Sequence, residues 1–165
     1  TAAIVDGWFH TGDIGHLDDE GSLYITDRKK DLIKTAGGKF VAPQKLENLF
    51  IADPYISQAF VYGDKQPYCV ALIVPNIEQL RRHAQEQEVG AQSVNELVQD
   101  PRIQEFYWGR VQAKQAALAS FEQVKKIALL DQEFSQSAGE LTPTLKAKRS
   151  LIAQRYASIL QGLYR

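Results

Sequence analysis

Two rhythms of apolar residues run along this chain. Residues 56–63 and 68–75 are nearly continuous apolar runs, separated by Gly63-Asp64-Lys65-Gln66-Pro67. That pattern predicts two buried strands. Residues 124–130 predict a further strand. Pro43 suits the first turn of a helix, and Leu46, Leu49 and Phe50 give that helix one apolar face. Between Pro75 and Lys125 the spacing becomes helical. Residues 77–87 carry Ile77, Leu80 and Ala84 as a stripe, residues 94–98 form a short helix, and Pro101 opens a longer one. In the longer helix Ile103, Phe106, Tyr107, Val111, Ala117 and Leu118 fall near helical spacing and read as core. Residues 147–163 predict a final helix with Leu151, Ile152, Tyr156, Ile159, Leu160 and Leu163 on its apolar side.

The N-terminal stretch reads differently. Residues 5–26 predict β-structure, with a strand at Trp8-Phe9-His10-Thr11, a turn at Asp18-Asp19-Glu20-Gly21 and a strand at Leu23-Tyr24-Ile25-Thr26. Residues 27–31 are charged without an apolar anchor and mark a hinge or boundary. Gly37-Gly38 permits a sharp turn and close backbone approach. Residues 141–145 are expected to be extended, because Pro143 disfavours helix in the residue before it. The fold class is α+β, a short central β-sheet flanked by helices and preceded by a β-hairpin.

Composition narrows the classes. A chain of 165 residues suits one medium domain, or a small domain plus a piece of another. With 44% hydrophobic and 24% charged residues it can bury a core. The formal net charge of −1, and basic runs as short as Arg28-Lys29-Lys30, argue against nucleic acid as a partner. The single cysteine, Cys69, excludes a disulfide framework, points to a reducing compartment and reads as a core residue. No apolar run reaches the roughly 20 residues that span a bilayer, and no signal peptide opens the chain. The chain has no Met and opens Thr1-Ala2-Ala3-Ile4, so it is expected to be a piece of something larger.

Three stretches carry groups able to hold phosphate, ribose or carboxylate. In Thr11-Gly12-Asp13 a carboxylate beside a glycine can accept two hydroxyl hydrogen bonds, although Thr-Gly-Asp is also a common turn. In Asp27-Arg28-Lys29-Lys30-Asp31, followed by Gly37-Gly38-Lys39, Arg28 can hold a ribose or phosphate oxygen. The plain alternative is a solvated charge run beside a glycine turn. In residues 141–149, Lys146 follows an extended segment, where a long cationic side chain can be projected into a cleft. A basic helix start is the plain alternative, but cations fit poorly at a helix N-terminus. His10, His16 and His83 lack metal-ligand spacing, so no metal site is expected. Neither a P-loop nor a serine nucleophile elbow is present.

Together these stretches resemble the adenylate-forming superfamily of acyl-CoA synthetases, luciferases and nonribosomal adenylation domains. The segments are Gly7-Trp8-Phe9-His10-Thr11-Gly12-Asp13, residues 24–47 with Asp27-Arg28-Lys29-Lys30-Asp31 and Gly37-Gly38-Lys39, and Leu141-Thr142-Pro143-Thr144-Leu145-Lys146-Ala147-Lys148-Arg149. Their order and spacing match over nearly the whole chain. The resemblance implies that residues 1–29 end a large adenylation domain and that residues 30–165 form its mobile C-terminal lid. It implies ATP, Mg2+ and CoA as cofactors or substrates, a fatty acid as the acid, and the N-terminal domain of the same chain as partner. A carboxylate attacks the α-phosphate of ATP-Mg to give acyl-adenylate and diphosphate, and the lid then rotates for thiol attack. Carried over by position, Asp13 binds the ribose hydroxyls with Arg28 assisting. Lys30 is the hinge. Lys146 bridges carboxylate and α-phosphate oxygens. Gly37 and Gly38 lie along the pantetheine channel, with Lys39 beside them in the cofactor-binding set.

Two departures from the common pattern stand out. Lys45 replaces an acid in Pro43-Gln44-Lys45-Leu46-Glu47, and Leu145 stands where a glycine is frequent before the lysine. Both resemble the long-chain fatty-acid branch, as does the helical insertion between Pro75 and Lys125. Counting back from Arg149 favours Lys146 over Lys148 as the lysine. The expected setting is cytoplasmic, with peripheral contact to the inner membrane face left open. A non-catalytic module of the same fold, or transfer to a carrier-protein pantetheine, are the alternative readings.

Overall fold

A computed structural model describes residues 4–90 and 93–165. Thr1, Ala2 and Ala3, part of the opening segment read above, lie outside the described residues. The chain begins in hairpins. β1 (Ile4–Val5) pairs antiparallel with β2 (Trp8–Phe9), and β3 (Asp13–Leu17) pairs antiparallel with β4 (Leu23–Arg28). The Asp18 carboxylate closes the second turn, accepting the N–H of Glu20 at 3.0 Å and of Ser22 at 2.8 Å. This is the local chemistry that favours Asp at the start of turns. The expected hairpin is present, but the partner of β4 is Asp13–Leu17, not 8–11. Gly12, with φ +76°, turns the chain between the two segments.

A single 3₁₀ turn, Lys29–Asp31, buries none of its residues and leads into β5 (Ile33–Lys34) and β6 (Phe40–Val41), a tight antiparallel pair. Helix α1 (Pro43–Ile51) follows, with proline in its first turn and Leu46, Glu47 and Phe50 buried. β7 (Ile56–Tyr62) and β8 (Cys69–Pro75) pair antiparallel. Helices α2 (Ile77–Glu86), α3 (Val94–Gln99) and α4 (Pro101–Gln115) then carry the chain to β9 (Val124–Leu129), which pairs parallel with β8. Parallel neighbours need such a crossover. Asn76, Ser93 and Asp100 each cap the helix they precede, and Ser93 forms a reciprocal capping box with Glu96. The chain ends in α5 (Arg149–Arg155) and α6 (Ala157–Gly162).

The central sheet has the order β7-β8-β9. Alternate residues of β8 point to opposite faces. Cys69, Ala71 and Ile73 join a core with Leu46, Phe50, Leu80 and Tyr107. Val70, Leu72 and Val74 join a second core with Phe60, Phe134, Ile152 and Leu160. On each outer edge of the sheet a side chain satisfies the backbone of one residue that would otherwise be unpaired, Val61 on β7 and Val124 on β9. On β9, Gln115 Nε2 donates to the Val124 carbonyl and Val124 N–H donates to Gln115 Oε1, both at 2.9 Å. That use of Gln115 coincides with the end of α4, so Ala117 and Leu118 fall beyond it.

Two further expectations are corrected. Residues 147–163 are two helices, because Tyr156 leaves helical geometry at φ −99°, ψ 19°. Its ring packs edge-on against Phe134 at 5.7 Å, while Ile152 and Leu160, on either side of the break, both reach the second core. Leu151 and Ile159 are consequently exposed. Residues 142–145 form a turn, not an extended segment: Leu145 N–H donates to the Thr142 carbonyl at 2.9 Å. Proline at the second position with its φ fixed near −65° favours that turn. No helix among the described residues is long and apolar enough to cross a membrane.

Burial pushes the Cys69 thiol from its ordinary 9.0 up to about 11, and raises the Tyr107 and Tyr164 hydroxyls as well. These groups ionise more easily when unfolded, so their contribution is whole below the unfolded value and lost as pH rises through the folded one. The unfolding temperature should therefore drop between pH 9.0 and about 11, and Cys69→Ala should remove part of that drop. A melting temperature that stays level across this window would contradict a buried, protonated thiol.

Candidate functional site

The hairpin β3–β4 presents one half of a cleft. Asp13 and Arg28 are paired across it, and Arg28 Nε lies 3.0 Å from Asp13 Oδ1. The Thr11 hydroxyl accepts the Asp13 N–H at 3.1 Å, and the Gly12 carbonyl accepts the Lys29 N–H at 2.8 Å. The Thr-Gly-Asp segment is thus tied to the start of the Lys29–Asp31 turn, which holds Lys30.

The other half is the loop carrying Lys146. Leu141 bridges Ala147 across it. Thr142 N–H donates to the Lys146 carbonyl at 2.9 Å, and Lys146 N–H donates to the Thr142 hydroxyl at 3.0 Å. Leu145 takes a left-handed φ of +59°, the conformation that explains why glycine suits this position. Lys148 precedes α5, and its N–H donates to the Glu140 carbonyl at 2.8 Å.

Glu47 and Arg149 join these parts to the sheet. Glu47 Oε1 accepts the Val61 N–H at 2.8 Å and the Arg149 Nη1 at 2.8 Å. Arg149 also donates through Nη2 to the Val61 carbonyl, and its guanidinium lies 4.7 Å from the centroid of the Phe60 ring. Both backbone groups of Val61, on edge strand β7, are satisfied by this ion pair. Reading the sequence missed its importance. The available signal was spacing: Pro43, Leu46, Glu47 and Phe50 recur on one helical face, so an acid stands on the buried side of α1.

The cleft between these elements has a volume of about 860 Å³, in the range of about 300–1,000 Å³ typical of small-molecule sites. Asp13, Arg28, Lys30, Glu47, Leu145 and Lys146 all line it. Four residues singled out from sequence are thereby brought together; Lys148, the rival lysine, is not on the wall. Gly37, Gly38 and Lys39 are also not on it. They form the β5–β6 turn, where Thr35 N–H donates to the Lys39 carbonyl and Ala36 N–H to the Gln66 carbonyl, both at 2.9 Å. Gly38 has φ +75°, and a Cβ at Gly37 or Gly38 would meet nothing within 4 Å. Lys39 Nζ sits 5.6 Å from the centroid of the Phe121 ring. Among the described residues, no group of three or more His, Cys, Asp or Glu side chains is arranged to hold a metal.

A small α+β domain with a few helices and a short mixed sheet matches the C-terminal domain fold of adenylate-forming proteins. A family model of the AMP-binding enzyme C-terminal domain matches residues 30–165, and the chain belongs to that family. Long-chain-fatty-acid–CoA ligase FadD15 of Mycobacterium tuberculosis is 41% identical over 165 residues, covering 99% of this chain and 28% of that protein. Human long-chain-fatty-acid–CoA ligase 1 is 38% identical over 162 residues, covering 96% of this chain and 23% of that protein. The chain therefore spans about a quarter of the length of these curated relatives. Among solved structures, the adenylation domain of a carboxylate reductase from Mycobacterium chelonae matches with TM-score 0.73 and 32% identity, over 96% of this chain and 23% of that one. The A-PCP didomain of a carboxylic acid reductase from Segniliparus rugosus, in complex with AMP, matches with TM-score 0.76 and 26% identity, over 96% of this chain and 21% of that one.

Leu145 is 68% exposed, so its side chain gains little packing in return for a left-handed backbone. That conformation costs a non-glycine residue about 1 kcal/mol or somewhat more. Denaturant unfolding of Leu145→Gly should show stability unchanged or raised by up to about 1 kcal/mol, the gain being offset by glycine's greater freedom when unfolded. A clear loss of stability would contradict the strained, exposed geometry.

Proposed function

We propose that the protein to which this chain belongs is an acid–thiol ligase of the long-chain acyl-CoA synthetase type. It joins ATP and a fatty acid into acyl-adenylate and diphosphate, with Mg2+ entering on the ATP. It then transfers the acyl group to the CoA thiol, releasing AMP. The observation that carries this reading is the shared cleft: Asp13 and Arg28 face it from before the Lys29–Asp31 turn, and Lys146 faces it from the far end of the chain. The names of the relatives supply the substrate class.

In this reading residues 1–29 close the large domain and residues 30–165 are the lid, pivoting at Lys30. The connecting turn buries nothing, which suits a hinge. Asp13 accepts the ribose hydroxyls and Arg28 assists. Lys146 neutralises charge developing between the carboxylate and the α-phosphate. After rotation the Gly37–Gly38 turn replaces it and lets pantetheine pass, and Lys39 contributes to the CoA site. Neither glycine is needed for packing against this chain, since the space above both is open. A long-chain acid also suits a cytoplasmic protein that works peripherally at a membrane surface.

The likeness to the A-PCP didomain supports a second reading, with a carrier-protein pantetheine as acceptor. The ligase reading has the better support from relatives at 38–41% identity. Free CoA and a loaded carrier, offered in parallel, separate the two.

In the full-length protein, Lys146→Ala should nearly abolish ATP–pyrophosphate exchange, while thioester formation from supplied acyl-adenylate persists. Exchange at the parent rate would remove Lys146 from this role. The isolated 165-residue chain, holding only a small part of the substrate contacts, should show no ligase turnover. Measurable acyl-CoA formation by that piece would contradict the division of labour between domains.

A further inference from the structure

We infer that Glu47 and Arg149 are positioning residues for Lys146, and that the ion pair they form tunes adenylate formation without entering thioester formation. This rests on the role proposed above for Lys146.

Lys146 is an exposed, long side chain on a turn that is cross-bonded through Thr142 and the Leu141–Ala147 bridge, so the turn moves as a unit with its ends. Leu141 N–H, donating to the Ser135 carbonyl at 3.2 Å, and Gln136 Nε2, reaching the Pro143 carbonyl at 3.5 Å, hold the first part of that turn, and two ties hold its C-terminal end to the body of the domain. One is the hydrogen bond from Lys148 N–H to the Glu140 carbonyl. The other is Arg149, three positions after Lys146, whose guanidinium reaches Glu47 and the Val61 carbonyl. Glu47 Oε1 accepts from both Val61 N–H and Arg149, so one oxygen joins α1, edge strand β7 and the base of the lysine turn. The pair is well enclosed, with side-chain exposures of 24% for Arg149 and 6% for Glu47.

A buried ion pair is a poor way to gain stability, because desolvating both charges offsets most of their attraction. What it supplies is direction. The planar guanidinium has a fixed fork, and it meets a carboxylate, a carbonyl and an aromatic face at once. Glu47 also lines the same cleft as Lys146. The Gly37–Gly38 turn, by contrast, is held by separate bonds: Thr35 to Lys39, Ala36 to Gln66, and Lys65 to the Lys34 carbonyl. Loosening the pair should therefore disturb the lysine and leave the turn proposed for thioester formation in place.

The test uses the full-length protein and four variants: Glu47→Gln, Arg149→Lys, Lys146→Ala and Glu47→Gln combined with Lys146→Ala. Glutamine keeps an acceptor for the Val61 N–H, and lysine keeps the charge without the fork. If Glu47→Gln proves unstable on thermal melting, Arg149→Lys is read in its place. ATP–pyrophosphate exchange should fall about 10- to 100-fold in Glu47→Gln and in Arg149→Lys, the loss expected when a catalytic group is misplaced by about 1 Å. Thioester formation from supplied acyl-adenylate and CoA should stay near the parent rate. On the Lys146→Ala background Glu47→Gln should cost nothing more, since groups acting as a unit are not additive. Equal loss in both half-reactions, unchanged exchange, or a further loss on the Lys146→Ala background would each overturn the proposal. If Lys146→Ala itself keeps exchange, the lysine assignment fails and takes this inference with it. If Lys146→Ala loses exchange while Glu47→Gln does not, only the positioning role fails.

Discussion

Strand β8 exposes none of its seven residues, so each of its faces needs its own cover. A strand buried on both sides has to read as an unbroken apolar run, as Cys-Val-Ala-Leu-Ile-Val-Pro does. Helices α1 to α4 supply one cover, and α5, α6 and the segment around Phe134 supply the other. After β9 the chain passes to the second layer at Leu130 and Phe134, and the lysine turn lies between that segment and α5. The outer edge of β7 faces the gap between α1 and α5. An ion pair bridges that gap at Val61, and the cleft opens beside it. The position of the site is thus a consequence of how the central strand is covered.

This dependence explains what could be read from the residues. The three sheet strands and α1 to α4 follow from local signals: apolar runs, helical spacing, and Pro43 and Pro101 in first turns. Where long-range contacts decide, local signals mislead. The break at Tyr156 involves neither glycine nor proline and makes sense only against Phe134 on the second face. Pro143 correctly argued against helix, but a turn and an extended segment satisfy that restriction equally. The pairing of residues 13–17 with β4, in place of 8–11, turns on a left-handed Gly12 between two short β-forming stretches.

The site was legible as motifs and illegible as geometry. Spacing alone gives no reason for Asp13, Arg28, Lys30 and Lys146 to meet, since they lie at opposite ends of the chain. Side-chain chemistry marks Asp13, Arg28 and Lys146, the resemblance adds Lys30, and the cleft brings all four together. The Gly37–Gly38–Lys39 turn belongs to the same pattern but is not on that wall. The reading proposed above, a lid with one face for adenylate formation and another for thiol transfer, would account for both placements. Glu47 had the weakest advance signal, an acid in an apolar stripe, and it is the atom-level junction between helix, strand edge and lysine turn.

The central claim is that this cleft holds the adenylate, with the hairpin on the ribose and the lysine turn on the phosphate. A crystal structure of the full-length protein with a non-hydrolysable acyl-adenylate analogue tests it most directly. The account predicts Asp13 oxygens at about 2.7 Å from the ribose hydroxyls and, with the lid in its adenylate-forming position, Lys146 Nζ at about 2.9 Å from a phosphate-mimicking oxygen. An analogue bound away from Asp13, or contacted by Lys148 with Lys146 turned to solvent, would contradict it.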